Sequence, residues 1–162
     1  MSIEEQILDI LSENSKITPV HIAEMTGAHL DAVESIINAL EQNKTIVKYS
    51  TLINWEKTER AHVCALIEVK VTPQREQGFD AIAERIYRFP EVKSVFLMSG
   101  DYDLAVTVEG KTMKEVAFFV AEKLSVLDSV LSTSTHFLLK KYKVDGVILE
   151  EDHKDIRQVI TL

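Results

Sequence analysis

The sequence predicts an α+β chain in two parts: three short helices with helix-turn-helix spacing, then a strand leading into a ferredoxin-like βαββαβ domain. Three observations predict it. Apolar residues recur at helical spacing through residues 1–45. From residue 63 the pattern turns to period-two alternation, with Val63, Ala65, Ile67, Val69 and Val71 on one face. Two further β-rich runs, Val95-Phe96-Leu97 and Ala105–Val108, flank a short segment bearing Gly and Asp, which signals a hairpin.

In the first part, Ser2-Ile3-Glu4-Glu5 has capping-box spacing, and Ile3, Ile7, Leu8 and Leu11 then share one helical face. After a polar break at Glu13–Lys16, Thr18-Pro19 restarts a helix, Thr as cap and Pro at the first position. Ile22, Ala23 and Met25 form its expected buried side, and Gly27 ends it. A third helix carries Val33, Ile37 and Leu40 and stops near Asn43-Lys44. Three helices with a Gly-bearing turn between the last two fit a helix-turn-helix, whose third helix would enter the DNA major groove. A three-helix bundle used for protein contacts fits the same periodicity.

Thr45–Ile53 is β-branched and aromatic, hence strand-like, and without a partner in its own chain it invites pairing with a second copy. Asn54-Trp55-Glu56-Lys57 turns the chain, with Trp55 as a packing anchor. The first strand of the second part ends at Pro73, and Cys64 and Leu66 keep its second face partly apolar. Phe79, Ile82, Ala83 and Ile86 mark a helix ended by Phe89-Pro90. Beyond the hairpin, Thr112–Glu115 is a second capping box, followed by Val116, Phe119, Val120 and Leu124. Val130–Tyr142 reads as one long closing strand. Both helices would cover one sheet face, and a second copy of the domain is the economical cover for the other.

The hairpin tip, Met98-Ser99-Gly100-Asp101-Tyr102-Asp103, gathers two carboxylates, a phenol and free backbone N–H groups. An amino acid offers the complementary ammonium and carboxylate. The alternatives are a plain polar turn or acid–base work by the two carboxylates, and no nucleophile or metal motif accompanies them. The histidines lack metal spacing such as HExxH, and His62-x-Cys64 supplies only two ligands, so no metal and no cofactor are expected. No hydrolase elbow, phosphate loop or dinucleotide fingerprint occurs. The single cysteine excludes an internal disulfide. No apolar span reaches membrane length and the N-terminal stretch is acidic, so a cytoplasmic protein with no membrane contact is expected.

The order Ile7-Leu8-x-x-Leu11, Ile22-Ala23, Val33-x-x-x-Ile37-x-x-Leu40-Glu41, Ile46-Val47-x-Tyr49 and Gly100-Asp101-Tyr102-Asp103 resembles the Lrp/AsnC, or feast/famine, family of transcription factors along nearly the whole chain. The resemblance implies a helix-turn-helix domain at 1–45, a connector strand at 46–60, a ferredoxin-like effector-binding and oligomerisation domain at 61–145 and a tail at 146–162. It implies an amino-acid-responsive regulator of double-stranded DNA that is not an enzyme. Homodimers would form through the sheets, and four dimers would form a ring. The effector would lie between dimers at Ser99, Gly100, Asp101, Tyr102 and Asp103, with Thr133 and Thr135 of the Ser132–Thr135 stretch as a second wall. DNA would meet Thr18, Ala32, Ser35, Ile36, Asn38 and Lys44.

The DNA-facing half departs from the family. Ala28-His29 stands where Leu-Ser is usual, and Ile36 where an arginine is usual. The chain carries a net charge of −8, and residues 1–60 hold five Lys and Arg against ten Asp and Glu, a net of −5. Phosphate contact needs cations. The alternative reading is therefore a metabolite-sensing oligomerisation module with weak or lost DNA binding. An enzyme like the sirohaem decarboxylases, which resemble the same two-part fold, is disfavoured by the intact tip.

Overall fold

The computed structural model describes residues 1–72 and 78–149. Pro73, the acidic run 150–152 and the apolar end 159–162 lie outside the described residues. The chain divides into two compact units, Met1–Ile53 and Asn54–Leu162.

The first unit is three helices: α1 Ile3–Glu13, α2 Pro19–Thr26 and α3 Leu30–Gln42. The expected caps form. Ser2 Oγ accepts from Glu5 N while Glu5 reaches back to Ser2 N. Thr18 Oγ1 accepts from His21 N, and Gly27 ends α2 at φ 70°. His29 starts α3 with no side-chain bond, as its weak capping chemistry implies. Ile7, Leu11, Ile22 and Val33 form the core. Met25, expected inside, is 64% exposed because buried Ile22 and half-buried Ala23 already fill the narrow face of so short a helix.

The expected connector strand does not form within the chain. Residues 45–54 join no ladder; Ile46, Tyr49 and Ser50 hold the segment back on the helices instead. Ile46 packs on the helical core and its N–H donates to Leu40 O. Tyr49 Oη donates to Glu41 Oε1 at 2.8 Å, and Ser15 Oγ to Ser50 O. The reason is topological: a strand needs an edge, and this unit offers none.

The second unit is a four-stranded antiparallel sheet of β1 Val63–Val71, β2 Val92–Leu97, β3 Leu104–Gly110 and β4 Val130–Phe137, in the order β2-β3-β1-β4. That is the ferredoxin-like order. α4 Gly78–Tyr87 follows β1, and α5 Met113–Phe119 follows β3, continuing through a π turn at Val120–Leu124. Ile82, Ile86, Val116, Phe119 and Leu124 close over Ala65, Ile67, Val69, Leu104, Val106 and Val108. The second capping box forms by half: Thr112 accepts from Glu115 N, but the Glu115 carboxylate takes Lys111 N.

β4 is shorter than expected. Leu138 N still donates to Cys64 O, and a small hairpin then follows, β5 Lys143–Val144 and β6 Val147–Ile148. Asp145 (φ 47°) and Gly146 (φ 80°) make the turn, and Asp-Gly is the dipeptide that hairpin geometry favours. The helix-free sheet face is mixed. Phe96 and Leu66 are apolar, but β4 brings Ser132, Ser134 and His136, and His136 Nε2 lies 3.5 Å from Glu68.

Candidate functional site

The segment between β2 and β3 is tied at its base. Met98 N donates to Asp103 O (2.8 Å), and Asp103 N donates to Val69 O (3.1 Å). β1 outruns its neighbour: its ladder with β3 ends at Val69 opposite Leu104, while β1 continues to Val71. The Val71 N–H therefore meets no carbonyl of β3. Asp103 supplies the missing acceptor, its Oδ2 lying 2.9 Å from Val71 N. One of the Asp103 carboxylate oxygens is thus engaged in extending the sheet.

Above that tie the tip is open. Ser99, Gly100 and Asp101 are exposed and Tyr102 is half-buried. Gly100 sits at φ 155°, a conformation L residues resist, with open space where a Cβ would stand. The N–H groups of residues 99–102 meet no acceptor among the described residues. Among the described residues Asp101 is thus a carboxylate without a partner, beside donors without acceptors. Thr133 and Thr135 do not form a wall with the tip in one chain. They pair with Val69 and Ile67, so β1 stands between them and β3, and Thr133 Oγ1 lies 3.3 Å from Ser125 Oγ.

The residues expected to meet DNA are divided by the structure. Ala32, Ser35, Asn38 and Lys44 are exposed, Lys44 in a left-handed turn at φ 66° just past α3. Thr18 is occupied twice, capping α2 and lying 2.9 Å from His21 Nδ1. Ile36 is half-buried and packs on the helical core. Ser35 and Asn38 belong to a larger set that faces outward from α3, in which Asp31 and Glu34 were not named as DNA contacts. Asp31, Glu34, Ser35, Asn38, Ala39 and Gln42 line one shallow trough. Helical spacing from Val33 and Leu40 was enough to find that face.

A second concavity, about 280 Å³, opens at the opposite end of the hairpin from the tip, floored by Val108, Val116 and Phe119 and rimmed by Glu91, Glu109 and Glu115. Its charges are largely paired. Lys123 bonds the Glu91 carboxylate, and His62 Nε2 lies 3.2 Å from Glu109. Burial works against ionisation of Glu91, yet the Lys123 hydrogen bond and charge outweigh it and hold the carboxyl below its usual range. Burial also pushes the Cys64 thiol up. Trp55 behaves as the expected anchor, stacked on His62 at 5.9 Å with the Arg60 guanidinium 4.7 Å from its ring. Among the described residues no three His, Cys, Asp or Glu side chains come together as metal ligands, and no helix is long and apolar enough to cross a membrane.

Helix-turn-helix unit and ferredoxin-like domain together define a class, the two-part bacterial and archaeal regulators. The Lrp/AsnC ligand-binding domain model matches residues 64–148. An uncharacterized HTH-type transcriptional regulator of Bacillus subtilis, YugG, is 53% identical over 159 residues, covering 98% of this chain and 96% of that one. The HTH-type regulator LrpA of Pyrococcus abyssi is 26% identical over 137 residues, covering 85% and 94%. A Neisseria meningitidis transcriptional regulator solved as an L-Met complex superposes with a TM-score of 0.73 at 23% identity, covering 89% and 92%. Escherichia coli AsnC superposes at 0.68 with 15% identity, covering 88% and 93%, and these two share the fold. The chain belongs to the Lrp/AsnC family of HTH-type transcriptional regulators. These curated relatives are named as regulators, not enzymes.

Proposed function

We propose that this regulator responds to an amino acid held at the tip from Ser99 to Asp103, and that the ligand lies between dimers of a larger ring. The observation that carries the reading is the division of labour at the tip. Asp103 fixes the base through Val71, and among the described residues Asp101 and the N–H groups around Gly100 are left without partners. A carboxylate for the ammonium and N–H donors for the carboxylate are what an amino acid requires. The Neisseria regulator's L-Met complex agrees with this class of effector. Thr133 and Thr135 would then meet the ligand only from another subunit, since β1 separates them from their own tip. The connector at 45–54, unpaired within the chain, fits pairing with the same segment of a partner.

DNA contact falls to the exposed face of α3, with Lys16, Lys44 and Lys48 toward phosphates. With so acidic a first unit, binding is weak above physiological salt, and avidity across the oligomer compensates. Calorimetric titration with the twenty amino acids tests the effector site. The expected result is binding of at least one by wild type, weakened roughly ten- to hundredfold in Asp101→Ala, the loss of one charge-assisted bond. Undiminished binding in Asp101→Ala at an unchanged oligomeric state removes the ligand from the tip. A folded wild type that binds none leaves the tip a structural turn.

A further inference from the structure

The cavity at the end of the hairpin opposite the tip, about 280 Å³, joins an apolar floor to an excess of negative charge. Val108 at the end of β3 and Val116 and Phe119 on α5 make the floor. The lining carries four carboxylates, Glu91, Glu109, Glu115 and Glu122, against one cation, Lys123. Glu109 lies 3.2 Å from His62 Nε2 and 3.7 Å from Lys93 Nζ, and Glu91 is paired with Lys123. Glu115 and Glu122 meet no side-chain cation among the described residues.

Glu91 is the carboxylate held in place. Its backbone carbonyl accepts from Glu109 N at 3.0 Å, which clamps the residue against β3. Its Oε1 accepts from Lys123 Nζ. Its Oε2 is shut off from solvent and has no hydrogen-bond partner among the described residues. Burial opposes the charge, yet Lys123 keeps the carboxyl ionised. A charged acceptor taken out of water without a donor is costly, and folded proteins seldom keep one without a reason. The residue lines a cavity, so a ligand can supply the donor.

Three properties define that ligand. The unpartnered oxygen requires an N–H donor of cationic character, which a quaternary ammonium lacks. Uncompensated Glu115 and Glu122 attract a cation and repel a carboxylate. The floor suits an apolar body, and the volume, just below the ~300–1,000 Å³ usual for drug-sized ligands, keeps that body small. We infer that the cavity binds a small primary amine, its ammonium donating to Glu91 Oε2 and its short hydrocarbon lying on Val108, Val116 and Phe119. Lys123 stays on Oε1, so the amine joins the ion pair without displacing it. An amino acid is kept out by its own carboxylate, and the cavity and the tip therefore take different chemistries.

The test titrates the full chain with isoamylamine, isopentyltrimethylammonium, isovalerate and leucine, followed by calorimetry and by methyl chemical shifts. Isoamylamine should bind saturably and move the methyl signals of Val108 and Val116, leaving Leu104 at the tip end of β3 unmoved. The trimethylammonium analogue and isovalerate should bind at least about tenfold more weakly, and leucine should leave the Val108 and Val116 signals in place. Glu91→Gln should weaken isoamylamine roughly ten- to hundredfold, the loss of one charge-assisted bond. That change also breaks the Lys123 pair, so exposed Glu122→Gln is the second variant, expected to weaken the amine roughly two- to fivefold with folding intact. Equal affinity for the trimethylammonium analogue overturns the inference, as does undiminished binding in either folded variant or a shift pattern that spares Val108 and Val116. Absence of saturable isoamylamine binding by folded wild type also overturns it and leaves an ordered water as the partner of Glu91 Oε2. None of these results bears on the reading of the tip.

Discussion

Replacing Asp103 separates a structural carboxylate from a ligand-binding one. Its Oδ2 accepts from Val71 N at 2.9 Å, in a half-buried setting where β1 has run past the end of β3. A hydrogen bond to a charged group contributes about 1.5–3 kcal/mol, and a neutral one about 0.5–1.5 kcal/mol. Asp103→Ala leaves the Val71 N–H without its acceptor and should cost the larger amount. For a domain of this size that lowers the unfolding midpoint by roughly 5–15 °C. Asp103→Asn keeps an acceptor oxygen and should lose about half as much. Thermal unfolding followed by far-ultraviolet circular dichroism, at one fixed protein concentration because assembly shifts the midpoint, reads both. Amide exchange at Val71 gives the local readout and should quicken in Asp103→Ala alone. Asp103→Ala melting with wild type, or Asp103→Asn falling as far as Asp103→Ala, would refute the reasoning.

Two further outcomes follow from the packing and charge. Ile36→Arg, a substitution that would restore the family's usual residue, should lower the melting temperature, because Ile36 leans on the core of Ile7, Ile22 and Val33; an unchanged midpoint shows that this side chain is free to face DNA. Glu91 is held below its ordinary carboxyl value by Lys123, so it contributes stability above about pH 4.5 that is lost as pH falls through its depressed folded value. Glu91→Gln should therefore melt lower than wild type at neutral pH, with the gap closing as the pH falls below about 4.5. A gap independent of pH would show that the pair contributes nothing through ionisation.

The helices were legible because caps and apolar spacing act over three or four residues, a distance the sequence displays directly. Ser2 with Glu5, Thr18 with Pro19, and Gly27 each form as their chemistry dictates. The four sheet strands were legible for the same reason, β1 from its period-two alternation and the others from β-prone composition, both of which are local. The connector is a different case, because the partner expected for it is a second copy of the chain. Its β-branched composition is real, but composition supplies no partner, and within one chain Tyr49 and Ser50 find α3 and the α1–α2 turn instead. The β5–β6 hairpin was missed although Asp145-Gly146 announces it, because the β-prone stretch from Val130 to Tyr142 was read as one strand across the break at Leu138.

The site divides along the same line. The chemistry of each tip residue could be read from its type; which residues remain free to use it could not. That depends on register. β1 spans nine residues and β3 seven, and their antiparallel pairing starts at Val63 opposite Gly110. The difference leaves Val71 with a donor and no carbonyl facing it, and the next residue back from β3 is Asp103. A shift of one position would turn the Asp103 side chain to the other face of the sheet. The two aspartates of the tip look equivalent in sequence and are not, because one of them sits where a strand runs out of partners. On α3 the converse holds. Glu34 and Asn38 sit on a face that no other part of their own unit covers, so their hydrogen-bonding groups are left for a partner to meet.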